Sequence, residues 1–252
     1  MKKNFLIGQI SDTHYVSSKE KLFDKIDTHN SFLRIIDACN NLDQIPDIYI
    51  LSGDLIHDIE IYYHEFFNLC KKLNRPIYPM MGNHDVRSGL KKHLSNNLID
   101  EKGNVNYCID SFNTKIICLD TAIENKIEGE INKYSMDWLK NTLDRENDKH
   151  VIIFMHHPPI NIGSLLFDHI KCQNGKEFIN LISKYNNVKE VVFGHVHCSY
   201  TTKINNIIFS SCPSASIEYP INAKDSSELI EKTSIKLFNC SEFEISSKNI
   251  LI

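Results

Sequence analysis

Five short apolar runs along the chain each give way to a brief polar segment. Phe5-Leu6-Ile7-Gly8-Gln9-Ile10, Ile48-Tyr49-Ile50-Leu51, Ile77-Tyr78-Pro79-Met80, Val151-Ile152-Ile153-Phe154 and Val191-Val192-Phe193 are rich in β-branched and aromatic side chains and predict strands. Between them, a spacing of three to four predicts helices: Leu33 and Ile36 onward to Leu42, then Trp138, Leu139 and Leu143, then Phe178, Ile179 and Ile182. Tyr62, Phe66, Leu69 and Leu73 repeat at i, i+4, i+7 and i+11 before Pro76 ends the segment, and this stripe reads as core rather than as a cofactor box. Further on, Ile204 to Ser210, Ser234-Ile235-Lys236-Leu237-Phe238 and Phe243-Glu244-Ile245 predict strands, and Asn222 to Glu231 a flexible connection or short helix. Strands alternating with helices imply layered α/β packing.

The polar segments that follow the five runs carry the chemistry. They are Ser11-Asp12-Thr13-His14, Gly53-Asp54, Gly82-Asn83-His84-Asp85, His156-His157-Pro158-Pro159 and Gly194-His195-Val196-His197. Each falls at a strand end, where loops converge and functional side chains collect. One Asp-x-His or His-x-His is weak evidence, but five such segments in strand-to-loop positions point to one metal site. The donors are carboxylate, amide oxygen and imidazole without thiolate, a set that suits hard and borderline cations and excludes a zinc finger.

This ordered set resembles the calcineurin-like metallophosphoesterase family, whose signature is D-x-H, GD, GNHD or GNHE, a later histidine and a final GHxH. Between the signature blocks, Val86-Arg87, Leu119-Asp120-Thr121, the Gly129 to Leu139 stretch, the doubled His156-His157 and Pro213-Ser214 resemble the class III cyclic nucleotide phosphodiesterases and related glycerophosphodiesterases. The resemblance runs from about residue 5 to 220. It implies a four-layer αββα sandwich of two mixed sheets flanked by helices. In that scheme residues 1–252 are one domain and about 200–252 supply closing strands of the second sheet.

The family arrangement implies two metal ions. Asp12, His14 and His197 would hold one, Asn83, His156 and His195 the other, and Asp54 would bridge them. Two ions about 3.5 to 4 Å apart share and acidify a water, so that a bridging hydroxide attacks the phosphorus and no side-chain nucleophile is needed. His84 would stabilise charge and protonate the leaving alkoxide, the alternative being a purely structural hydrogen bond in its loop. Manganese, iron, zinc and cobalt all suit such ligands.

Many relatives place a second aspartate three residues after the bridging one, to orient the GNH histidine. Here that position is His57, with Asp58 next to it, so either Asp58 reaches in or orientation is looser. His157 follows the expected ligand His156 on extended backbone and so points the other way, into surrounding structure. Arg87 offers a planar fork to substrate phosphate or, equally, to a surface salt bridge.

Composition narrows the class. With 252 residues, 42% of them hydrophobic, the chain can bury a sizeable core. A net charge of −4 provides no basic footprint for a nucleic-acid polymer, and the mixed charges of Lys19 to Lys25 read as a solvated face. The basic start Met1-Lys2-Lys3 precedes too short an apolar run for a signal core or membrane span. The protein is therefore expected in the cytoplasm, and eight cysteines without a C-x-x-C pair read as small buried hydrophobes in a reducing compartment, although spacing alone leaves a disulfide open. The leading substrate is a small phosphodiester, a 3′,5′-cyclic nucleotide such as cyclic AMP, with wall contacts from His84, Arg87 and the neighbourhood of Asp168-His169. Glycerophosphodiesters, other phosphodiesters and phosphomonoesters are the enzymatic alternatives, and a non-catalytic scaffold is the alternative of another class. In relatives the C-terminal region can support a homodimer.

Overall fold

The computed structural model describes residues 4–145, 148–241 and 244–252. Met1, Lys2, Lys3 and Phe243 lie outside the described residues. The strands are β1 (Asn4–Ile10), β2 (Ile48–Leu51), β3 (Ile77–Pro79), β4 (Tyr107–Ile109), β5 (Thr114–Leu119), β6 (His150–Met155), β7 (Val188–Phe193), β8 (Thr201–Ile204), β9 (Ile207–Ser211), β10 (Ile217–Glu218), β11 (Ile230–Glu231), β12 (Ser234–Ser241) and β13 (Ile245–Leu251). The helices are α1 (Thr28–Asn40), α2 (Tyr62–Cys70), α3 (Arg87–Lys91), α4 (Lys133–Asp144) and α5 (Gly175–Ile182).

Two mixed sheets lie at the centre, in the orders β13-β12-β1-β2-β3 and β4-β5-β6-β7-β9-β8. Alternation along β6 shows how they stack. Ile152 and Phe154 join the cluster shared with the first sheet, Phe154 meeting Phe238 edge to face at 5.5 Å. Val151, Ile153 and Met155 face the other way and pack with Leu139 and Leu143 of α4 and Phe178 and Ile182 of α5. Both faces are covered, which explains why β6 reads as an unbroken apolar run. Phe32 of α1 stacks on Phe66 of α2 at 4.9 Å, and both belong to the cluster that includes the first sheet. The Tyr62, Phe66, Leu69 and Leu73 stripe is buried throughout.

Two local readings are corrected and a third holds in part. Ile204 to Ser210 is not one strand: Asn205 and Asn206 adopt positive φ of 50° and 66° and turn the chain, so β8 and β9 form a hairpin. That hairpin closes the second sheet, but β12 and β13 do not join it; β12 pairs antiparallel with β1, extending the first sheet. The Asn222 to Glu231 connection contains a 3₁₀ turn at Ser226–Glu228 and the short strand β11. Cys39, Cys70, Cys118, Cys172, Cys198, Cys212 and Cys240 are buried free thiols, and Cys108 is exposed. No helix among the described residues is long and apolar enough to cross a membrane.

A buried charged bridge joins the sheets. Lys236 of β12 donates to the Ser210 hydroxyl (2.6 Å) and the Ser211 carbonyl (3.1 Å), and Ser210 donates to Glu190 (2.6 Å). Burial lowers the Lys236 pKa and raises that of Glu190. Removing one member strands a buried charge, so Lys236→Met is expected to cost about 3 kcal/mol, whereas Lys236→Met with Glu190→Gln should return to within about 1 kcal/mol of the parent in urea unfolding.

Candidate metal centre

β1, β2, β3, β6 and β7 end at one edge of the two sheets, and the five polar segments follow their C-terminal ends, where open α/β sheets build their sites. The segments interlock by backbone hydrogen bonds, Asp12 N–H to the Gly53 carbonyl (3.1 Å) and His14 N–H to the Asp54 carbonyl (2.9 Å). Asp12, His14, Asp54, His195 and His197 all adopt positive φ, between 42° and 65°. Such backbone is uncommon for residues with a Cβ and concentrates at functional sites. Gly53, at φ 96°, is needed for another reason as well: a Cβ there would lie 2.5 Å from His156 Nδ1.

All seven expected ligands converge. Asp54 Oδ2 lies 3.5 Å from His14 Nε2 and 3.3 Å from His156 Nε2, and so faces both halves of the cluster. On one side His14 Nε2 and His197 Nε2 are 3.1 Å apart, with Asp12 Oδ1 3.4 Å from His197 Nε2. On the other, Asn83 Oδ1 lies 3.2 Å from His156 Nε2 and 2.9 Å from His195 Nδ1. The six apart from Asn83 are buried.

Hydrogen bonding on the outside of the rings sets what they present inside. His156 Nδ1 donates to the Ser52 carbonyl (2.9 Å) and His197 Nδ1 to the Ile217 carbonyl (3.0 Å), leaving both Nε2 lone pairs aimed inward at carboxylates. Lone pairs facing carboxylate oxygens repel unless a cation lies between them, and an imidazole tied to a carbonyl through its other nitrogen is the usual metal-ligand arrangement. Burial opposes charge on His156, yet the Asp54 carboxylate raises its pKa to about 9, a proton standing where a cation is called for. Burial holds His14 and His195 well below the ordinary histidine value, and His195 Nε2 is buried without a hydrogen-bond partner. The donor set and its inward lone pairs fit divalent cations.

The surrounding residues resolve the open choices. Asp58 reaches in and accepts from His84 Nδ1 at 2.9 Å. Although burial lowers the His84 pKa, the charges of Asp54 and Asp58 raise it overall. His57 stacks on the His84 ring at 4.5 Å and meets His14 Nδ1 at 3.1 Å. Both ring nitrogens of His157 are taken, Nδ1 by the Thr121 hydroxyl (2.8 Å) and Nε2 by the Ile127 carbonyl (3.2 Å), so it packs behind the site; burial pushes its pKa down to about 3.

Arg87 departs from both of its expected roles. Its guanidinium pairs with buried Asp120 and donates to the Ala122 carbonyl (2.9 Å), so the fork is neither free for phosphate nor in a surface salt bridge. Asp168 turns into its own loop, accepting from Ile162 and Gly163 N–H, and His169 is exposed; the wall is supplied instead by their apolar neighbours Leu166, Phe167 and Ile170. Sequence reasoning placed wall contacts in the neighbourhood of Asp168-His169, where Phe167 lines the cavity, and missed the roles of Asp120, Phe23 and Tyr219. Only Asp120 left a signal, in Leu119-Asp120-Thr121.

A cavity of about 320 Å³ opens over the cluster, walled by Phe23, Phe167, Tyr219 and aliphatic side chains. A second, of about 380 Å³, lies beside His84 and is lined by Arg87, Glu124 and Lys126 among others.

An αββα frame with a buried His/Asp cluster at the strand ends defines a metallophosphoesterase. Residues 5–199 match the calcineurin-like phosphoesterases, and the chain belongs to that family of hydrolases. It is 32% identical over 238 residues to a protein of Arcobacter nitrofigilis named as a probable glycerophosphodiester phosphodiesterase, covering 92% of this chain and 87% of that one. It is 26% identical over 219 residues to a 3′,5′-cyclic-nucleotide phosphodiesterase of a Nostoc species, covering 84% and 79%. In fold it resembles a dimetal phosphatase from Danio rerio, with TM-score 0.69 at 13% identity over 96% of this chain and 98% of the other.

Proposed function

We propose that this chain hydrolyses phosphodiesters at a dinuclear centre in which Asp12, His14 and His197 hold one ion, Asn83, His156 and His195 the other, and Asp54 both. The observation that carries this reading is the pair of Nε2 lone pairs, on His156 and His197, turned onto carboxylates by carbonyl hydrogen bonds behind them. Bound metal supplies Lewis acidity toward the phosphate and a water acidified enough to attack at neutral pH. The ligand set accepts manganese, iron, zinc or cobalt.

The chain's own part is positional and acid–base. His84 donates through Nδ1 to Asp58 and borders the cavity, so its other nitrogen protonates the departing alkoxide. Asp54 Oδ1 accepts from the His84 N–H at 2.8 Å, tying the acid's loop to the shared ligand. The P–O bond breaks as that proton is delivered, and the product is a phosphomonoester.

The substrate we favour is a 3′,5′-cyclic nucleotide, because the wall over the cluster is aromatic and aliphatic. A glycerophosphodiester is the second reading, favoured by the polar cavity beside His84 that Glu124, Asn125 and Lys126 line. Seven buried unpaired thiols support a reducing, cytoplasmic setting. Protein stripped with chelator and reloaded with manganese is expected to convert cyclic AMP to AMP, and the stripped protein to be inactive. Turnover of glycerophosphodiesters alone would replace the substrate assignment, and inactivity with every metal and diester would overturn the proposal.

A further inference from the structure

The loop that carries Phe23 is built to present it. Leu22 and Ile26 exchange backbone hydrogen bonds, each 2.9 Å, and close a tight turn in which Phe23 and Asp24 take φ of 53° and 56°. Two successive left-handed residues normally call for glycine or asparagine, and a bulky aromatic side chain there is strained. Phe23 nevertheless leaves 56% of its surface exposed while its ring meets His57 edge to face at 5.5 Å. Core packing therefore does not explain it, and a strained residue at the mouth of a site is a lead to function.

The rest of the cavity has the same character. Phe167 lies nearly parallel to His197 (6.0 Å, 20°) and edge-on to His195 (5.6 Å), and Tyr219 contacts both Phe167 (5.7 Å) and His197 (5.5 Å). Phe23 thus borders the His57 end of the cluster, and Phe167 with Tyr219 the His195 and His197 end. Beyond the floor of ligands and their histidine neighbours, Tyr219 and Ser226 are the only polar lining residues among those described; the others include Leu166, Ile170 and Ile217.

We infer that this cavity is an aromatic slot for the planar base of a nucleotide, with Phe23 as its specificity-determining residue, and that it reads the face of the base rather than its edge. The inference rests on the phosphodiesterase reading, since it requires a phosphate held at the cluster to direct its ester group along this wall rather than into the polar cavity beside His84. A π-face exists on every base, whereas discrimination between bases needs placed donors and acceptors, which the wall scarcely offers. Cyclic AMP and cyclic GMP should therefore be used alike, and a glycerol substituent, with no ring to stack, should be held poorly.

The test separates binding from turnover. Calorimetric titration of manganese-loaded protein is expected to show AMP binding at least about tenfold tighter than glycerol 3-phosphate, with Phe23→Gly removing about tenfold of that preference and Phe23→Trp restoring it. Phe23→Gly should melt no lower than the parent, because glycine relieves the strained φ. Loss of the preference in Phe23→Gly without a fall in melting temperature, together with KM values for cyclic AMP and cyclic GMP within about threefold, would support the slot. An unchanged preference, or KM values differing by more than about thirtyfold, would overturn it. Absence of turnover with any diester would instead overturn the phosphodiesterase reading, while the binding ratio still decides the slot.

Discussion

Asp54→Ala should lower kcat by at least about 10³-fold and reduce bound metal to less than one ion per chain, while the fold survives. The Asp54 carboxylate faces both halves of the cluster, 3.5 Å from His14 Nε2 and 3.3 Å from His156 Nε2. Its other oxygen accepts from the His84 N–H at 2.8 Å, so the substitution also frees the loop that carries the acid. Asp54→Asn separates these effects: an amide oxygen can keep the His84 contact but lacks the charge that two cations require. Metal content by plasma mass spectrometry, hydrolysis and circular dichroism should be measured on one preparation. Full metal content in Asp54→Ala would show that the ligand is not shared, and unchanged turnover would show that hydrolysis does not depend on Asp54.

The cluster was readable before folding because its chemistry is local: an apolar strand, then a glycine or short loop, then an imidazole or carboxylate. What the sequence did not show is how the ligands are aimed. The positive φ of Asp12, His14, Asp54, His195 and His197 follows from the interlocking of loops distant in the chain, as in the Asp12 N–H to Gly53 carbonyl bond. The same limit explains β12. Its alternation identifies a strand, but pairing with β1 rather than the second sheet depends on contacts across more than 200 residues, as Gly8 opposite Leu237 illustrates. Within Ile204 to Ser210, Asn205-Asn206 carried the turn signal inside an apolar run, and the run dominated the reading.

Arg87 and Phe23 fail in opposite directions. A cationic fork beside GNHD suggests phosphate, but only the fold brings Asp120 against it, and once that buried carboxylate is near, the ion pair is the better partner. Phe23 sits in a stretch whose charges suggest a solvated face; its exposure fits that reading, while its position over His57 does not. In both cases residue type was visible and partner was not.

His84→Ala should divide substrates by leaving group. An alkoxide leaves only with a proton, so loss of a general acid costs about 10²- to 10⁴-fold, whereas p-nitrophenolate leaves unaided and its release should slow far less. Metal content should be unchanged, because the side chain of His84 is none of the seven proposed ligands. Equal losses for both substrates would mean that the ring acts on phosphate binding and not as the acid. Asp58→Asn tests the same assignment from behind. The Asp58 carboxylate accepts from His84 Nδ1 at 2.9 Å and, with Asp54, raises the ring's pKa against the opposing effect of burial. The acid works while protonated, so activity toward alkyl esters is present below the His84 pKa and lost as pH rises through it. Removing the Asp58 charge lowers that pKa, and the alkaline limb of the kcat profile should move to lower pH for alkyl esters while hardly moving for the p-nitrophenyl ester. A limb that stays in place in Asp58→Asn, or shifts equally for both esters, would assign it to another group, the nucleophilic water foremost.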